Sequence, residues 1–181
     1  MIRLSKDASS GVTIASPVFD AGAGTGVLGK KINEAGFNNI VGCDASSRFF
    51  EHLLAEGVYK NAQTLMMGQG EEAFPEEFRC RYDVVTACGV FLKSHMPCSA
   101  MDDCVTALKP NGYFVTAMRS CYWQDGEEMG YKDKLDSLVA QGKLTLVNTF
   151  TFMRGNEGEE GLFQPQESRL VCYRKPAAAA Q

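Results

Sequence analysis

Three glycines spaced two apart close the run Phe19-Asp20-Ala21-Gly22-Ala23-Gly24-Thr25-Gly26, and an acid, Asp20, stands directly before them. Glycine takes positive φ without a Cβ clash, so such a run can turn tightly and let a ligand approach the main chain. A second acid, Asp44, ends the next apolar run, Ile40-Val41-Gly42-Cys43, 24 positions after Asp20. A carboxylate at that place can accept hydrogen bonds from both hydroxyls of a ribose. Together the two features point to a nucleoside-containing ligand. A pyrophosphate fits poorly. The G-x-G-x-x-G pattern counted from Gly22 needs glycine at position 27, which is Val27, and Asp20 would set negative charge beside negative charge. The same carboxylate favours a cationic ligand. The plainer alternative is structural: the glycines serve a strand-to-helix turn, and Asp44 caps a helix that begins near Ser46.

Residues so spaced need a scaffold that brings strand ends together. Short apolar runs alternate here with longer helix-like segments, the pattern of βα units around a parallel sheet. The pattern predicts strands at Pro17 to Ala21, Asn39 to Cys43, Gln63 to Met67, Tyr82 to Cys88, Tyr113 to Met118, Leu144 to Phe152 and Ser168 to Arg174. It predicts helices at Gly26 to Ala35, Ser46 to Glu56, Cys98 to Leu108 and Gly130 to Gln141, with Gly36, Gly57 and Gly142 as C-terminal stops. The last two strands have no helix between them, only a Gly- and Glu-rich loop from Arg154 to Gln166, and so form a hairpin. The expected fold is α/β, a Rossmann-like doubly wound sheet of about seven strands. It is mostly parallel, with a C-terminal antiparallel hairpin and helices on both faces, and ligands bind at the carboxyl ends of the strands.

The glycine run resembles the first motif of the class I S-adenosylmethionine-dependent methyltransferases. The resemblance continues through Val41-Gly42-Cys43-Asp44-Ala45-Ser46, Tyr82-Asp83-Val84-Val85 and Leu108-Lys109-Pro110-Asn111-Gly112-Tyr113, in the family's order, over residues 17 to 120. Within the family, Gly57-Val58-Tyr59, the pair Gly68-Gln69 and Met96-Pro97-Cys98 look like the Williams-Beuren-region methyltransferase-like proteins. The resemblance implies S-adenosyl-L-methionine as cofactor, a ligand whose methionine half carries a sulfonium and an amino group. By the same resemblance Gly22, Ala23 and Gly24 would lie under that half, with Asp20 favouring its amino group through water or backbone. Asp44 would hold the ribose hydroxyls, and Ala45 and Phe49 would border the adenine. Gln69, where many relatives carry an aspartate, would accept from the adenine amine. Ala87, Cys88 and Gly89 would flank the transferring methyl.

No Asn-Pro-Pro-Tyr run follows the fourth strand, which argues against the amino-methyltransferases that act on nucleic-acid bases or glutamine. His95 is the histidine nearest the expected pocket and the candidate general base; otherwise it is a loop histidine. His52 falls on a helix. Arg119, Tyr122 and Trp123 follow the fifth strand and could shape an acceptor pocket. About sixteen residues precede the first strand, whereas many relatives begin with helices that close over cofactor and acceptor. Such a cover would then come from a partner subunit, from the 154 to 166 loop, or not at all.

The 181 residues fit one domain, read as residues 1–175 with a short N-terminal extension and a tail from 176 to 181. A formal charge of −4 argues against non-specific nucleic-acid binding. No apolar run is long enough to span a bilayer, and MIRLSKDASS lacks a signal-peptide core. The expected site is cytoplasmic, with organelle import left open by Arg3 and Asp7. Seven cysteines without a C-x-x-C pair suggest neither a disulfide framework nor a metal site. The expectation is an enzyme that methylates a small-molecule or protein acceptor. A non-catalytic subunit of the same fold, serving binding or assembly, is the alternative. A nicotinamide-linked oxidoreductase is disfavoured by Val27 and Asp20.

Overall fold

The computed structural model describes residues 2–154 and 166–177, with the backbone alone at 2–3 and 49–52. Seven strands form one sheet: β1 (Val18–Ala21), β2 (Ile40–Asp44), β3 (Asn61–Thr64), β4 (Tyr82–Cys88), β5 (Leu108–Arg119), β6 (Thr145–Arg154) and β7 (Gln166–Arg174). Their order is β3-β2-β1-β4-β5-β7-β6. The pairs from β3 to β5 are all parallel, and β7 runs antiparallel to both β5 and β6. The reversed strand is therefore β7, inserted between β5 and β6, and β6 is left at the sheet edge.

Every residue of β1 is buried, as befits a central strand covered on both faces. Alternate residues feed two cores. Phe19, Val85 and Phe114 join Met101 of α4 (Ala100–Ala107) and Leu135 of α5 (Tyr131–Ala140) on one face. On the other, Val18, Ile40 and Val84 meet Ile32 of α2 (Val27–Glu34) and Leu53 of α3 (Phe50–Ala55). A short α1 (Ile2–Lys6), absent from the sequence expectation, places Leu4 against this second core. None of these helices is long and apolar enough to cross a membrane.

Most boundaries differ from the sequence expectation by a residue or two, the helix expected at Ser46 to Glu56 is α only over Phe50–Ala55, and two strands differ with a clear cause. The third strand spans Asn61–Thr64, because its register with β2 starts at Val41↔Asn61 and ends at Asp44↔Thr64. Leu65, Met66 and Met67 then run past the end of β2, and Met67 is buried with its sulfur 3.6 Å from Cys43 Sγ. The fifth strand begins earlier, at Leu108, because Tyr82 already pairs there; a register shift between Tyr82 and Val84 and a left-handed Asn111 interrupt the ladder. Residues 155–165 of the expected hairpin loop and residues 178–181 of the expected tail lie outside the described residues.

Where β1 and β4 lie side by side, their connections leave in opposite directions. Such a switch point opens a crevice at the carboxyl ends of the strands. Gly22, Asp44, Cys88 and Arg119 stand at that edge, at the ends of β1, β2, β4 and β5 respectively.

Candidate functional site

Past Ala21 the chain turns with Gly22, Gly24 and Gly26 all at positive φ, +73°, +51° and +78°. The turn is tied to the neighbouring strand: the amides of Gly22 and Ala23 both donate to the Cys43 carbonyl, at 2.9 and 2.8 Å. Asp44 completes the tie. One carboxylate oxygen accepts from the Gly24 amide at 3.0 Å and the other from the Ser46 amide at 2.9 Å. Asp44 thus caps the turn after β2, as the structural alternative required, and also pins the glycine loop.

Beneath the loop lies Asp20, 2% exposed. Tyr59 donates to one of its oxygens at 2.7 Å and Thr86 to the other at 2.8 Å. Burial pushes the carboxyl above the ordinary range, against the lowering effect of those two hydrogen bonds. Asp20 thus has both oxygens engaged within the fold, by residues of the chain after β2 and of β4. Tyr59 reaches it because three glycines leave room: a Cβ at Gly29 or Gly42 would strike the tyrosine ring, and one at Gly26 would meet Leu53 as well as Tyr59. Neither Tyr59 nor Thr86 was read from the sequence as part of the site. Glycines inside a helix and inside a strand, Gly29 and Gly42, were the available signal, because glycine weakens both elements and marks close approach.

A cavity of about 340 Å³ opens over this scaffold, lined by Gly22, Asp44, Ala45, Met67, Val90 and His95 among others. A Cβ at Gly22 would come within 2.6 Å of Val90 Cγ1 and 3.3 Å of the Met96 methyl, so glycine is what lets Val90 close against the loop. Met66 and Met96, which also line it, were missed in the sequence. Of the expected residues, Gly22, Asp44, Ala45 and His95 are brought together here. His95 is exposed, its Nδ1 3.3 Å from the Lys93 carbonyl oxygen.

The others are placed elsewhere. Ala23 is buried against Tyr59's side of the loop, and Gly24 faces Asp44 through its amide. Gln69 is exposed and does not line the cavity. The adjacent Gly68 is drawn toward α4, its amide donating to Asp103 at 2.6 Å and its carbonyl accepting from Ser99 at 2.9 Å. Ala87 is fully buried in the sheet, its carbonyl accepting from Thr116 at 2.8 Å. Cys88 lines a different pocket, and burial pushes its thiol up to about 12, so it is neutral at ordinary pH. The side chains of Phe49 and His52 lie outside the described residues.

That second pocket, of about 410 Å³, opens beside Gly89 and is lined by Arg119 and Tyr122. Trp123 does not line it; its ring lies under the Arg169 guanidinium at 5.6 Å. Among the described residues, nothing before Gly22 lines the 340 Å³ cleft.

Comparison with known proteins gives the geometry a family. A methyltransferase domain model matches residues 19–114, more than half of the chain. Human methyltransferase-like protein 27 is 25% identical over 122 residues, which cover 67% of this chain and 46% of that protein. The chain thus spans about half the length of the curated relative it matches. Among solved structures, an S-adenosylmethionine-dependent methyltransferase from Clostridium acetobutylicum superposes with a TM-score of 0.65 at 12% identity, covering 97% of this chain and 90% of that one. The N-methyltransferase NodS from Bradyrhizobium japonicum superposes with a TM-score of 0.62 at 18% identity, covering 97% and 92%. These likenesses establish the fold, and the domain match across β1 to β5 shows that the chain belongs to the methyltransferase domain family.

Proposed function

We propose that the chain binds S-adenosylmethionine in the cleft at the ends of β1 and β2 and transfers its methyl group to a small-molecule or protein acceptor. One observation carries the reading: Gly22, Asp44 and Ala45, from the ends of two adjacent strands, line a single cavity. The cavity fits such a ligand. Its volume falls within the range of small-molecule sites, roughly 300–1,000 Å³. Asp44 would hold the ribose hydroxyls while keeping its amide contacts, since each carboxylate oxygen has a second lone pair. Ala45, Leu65 and Met66 give the apolar, polarisable wall that a flat base requires. Gly22 lines the same cavity and would lie beside the methionine half.

When bound, the cofactor would supply a methyl group on a sulfonium, whose carbon would bond to an in-line nucleophile as its bond to sulfur breaks and the thioether leaves. The chain's own contribution is position. The Asp20, Tyr59 and Thr86 network fixes the glycine loop, and Asp44 locks that loop to β2. A base is needed only when the acceptor's nucleophile carries a proton; His95, exposed at the cleft, is the residue placed to take one. Cys88, held neutral, is not a nucleophile here.

The test is transfer of labelled methyl from S-adenosylmethionine by the purified chain, with loss on Asp44→Ala; full activity in that variant would remove the site. A non-catalytic assembly subunit is the second reading. It is favoured by edge strand β6, which exposes Leu146, Val147 and Met153 at 53%, 48% and 63%. Turnover by the isolated chain would dismiss it.

A further inference from the structure

The pocket beside Gly89 has a composition the cofactor reading does not use. Arg119 ends β5, Arg154 ends β6 and Lys31 stands on α2, and all three line it. Register places the first two on one face of the sheet: Arg119 and Phe152 both pair with Ser168 from either side, and Arg154 lies two residues beyond Phe152. The guanidinium of Arg154 rests over Gly89, where a Cβ would stand 3.1 Å from Nη1, so glycine at the tip of β4 is what admits the arginine. Among the described residues neither Arg119 nor Arg154 has a carboxylate partner, whereas Lys31 is paired with Glu34 at 2.8 Å.

Below these cations the pocket is small and apolar. Ala117 and Cys88 form its floor with Ser168, whose hydroxyl is buried and has only a long 3.5 Å bond to the Gln166 carbonyl. Phe91, Met118, Tyr122 and Phe152 form its walls. Successive residues line the two cavities: Gly89 lines this pocket and Val90 lines the 340 Å³ cleft.

We propose that this pocket is the acceptor subsite and that it takes an acceptor carrying a carboxylate on an apolar body. Two guanidiniums with no carboxylate partner among the described residues present the planar donor fork that matches a carboxylate. The aromatic and aliphatic walls take the body of the acceptor, and the Gly89 side is where its nucleophile meets the methyl. The carboxylate serves as an anchor and takes no part in bond making. This inference rests on the methyltransferase reading. One other carboxylate could reach these cations, that of the cofactor's own methionine half, and the test separates the two.

Phenylacetate and hexanoate are titrated into the full chain, with and without S-adenosylhomocysteine, beside phenylacetamide and hexanamide. The carboxylates are expected to bind at millimolar concentration, more weakly as salt is raised, and the amides not to bind. Arg119→Gln and Arg154→Gln are each expected to weaken phenylacetate binding about tenfold or more, with melting temperature and S-adenosylmethionine affinity unchanged. Equal binding of the amides, no binding of either acid, or undiminished binding by both variants would overturn the proposal. Loss of S-adenosylmethionine affinity in the variants would also overturn it, assigning the arginines to the cofactor's carboxylate. Arginine-dependent binding of phenylacetate by a chain that binds no S-adenosylmethionine would uphold the anion pocket and sink the methyl-transfer reading instead.

Discussion

Asp44 pins the glycine loop with a carboxylate that is also proposed to hold the ribose hydroxyls, and one variant reads both roles. Removing its contacts to the Gly24 and Ser46 amides is expected to cost the fold about 1 kcal/mol, the scale of a lost cap. Losing charged acceptors for ribose hydroxyls is expected to weaken S-adenosylmethionine binding by roughly ten- to a hundredfold. Calorimetry and thermal melts of Asp44→Ala read the two effects independently; equal affinity in variant and parent would deny the carboxylate its ligand role. Asp20 makes a different prediction. Burial raises its carboxyl above the ordinary value of 3.8, so between the unfolded and folded values the native state holds more protons than the unfolded one. The stability this group contributes is full below about pH 4 and is lost as pH rises through the folded value. Parent and Asp20→Asn melts compared across that window should therefore show the parent losing ground to the variant as pH rises; a gap that stays constant with pH would contradict the assignment. Asp20 drew notice by standing before the glycine run, and Asp44 by ending the next apolar run. Tyr59 was not, because an aromatic after a helix reads as ordinary core until the glycines around it are seen to touch it.

The glycine loop keeps its shape because α2, β2 and Tyr59 fit through glycine at three crossings. Gly29 lies inside α2, where alanine would ordinarily gain up to about 1 kcal/mol of helix propensity. Here Gly29→Ala would drive a methyl into the Tyr59 phenol. The expected net result is a loss of about 1–3 kcal/mol in urea unfolding, accompanied by weaker cofactor binding as the Asp20 contact breaks. A more stable variant would show that Tyr59 can yield freely. Among the elements, strands with a clear apolar run were placed well from the sequence, β4 to the residue. The third strand was shifted because Leu65-Met66-Met67 reads as a buried strand by composition, while the register with β2 is exhausted at Thr64. Those residues line the cleft instead, which is why apolarity alone misassigned them. The late hairpin was legible from its missing helix. That β7 would insert beside β5 and leave β6 at the edge was not, because hairpin partners can add to a sheet in either order.

At the scale of the whole molecule, function follows from one edge of the sheet. Parallel pairing from β3 to β5 brings the ends of four strands together, and the change of direction between β1 and β4 hollows the space above them. Two cavities, one lined by Val90 and proposed to take the cofactor, the other lined by Gly89 and proposed to take the acceptor, are the consequence. The sequence motifs pointed to the first of these, and Arg119 and Tyr122 to the second; what the sequence did not show was Arg154, brought beside Gly89 by a long-range pairing that no local pattern encodes. The central claim is that the cleft holds S-adenosylmethionine through Asp44. Its most direct test is calorimetric titration of the chain with S-adenosylmethionine, S-adenosylhomocysteine and NAD. Binding of the first two alone, weakened roughly ten- to a hundredfold in an Asp44→Ala variant that remains folded, is the predicted result. Absence of binding by the first two, or binding indifferent to Asp44, would contradict it.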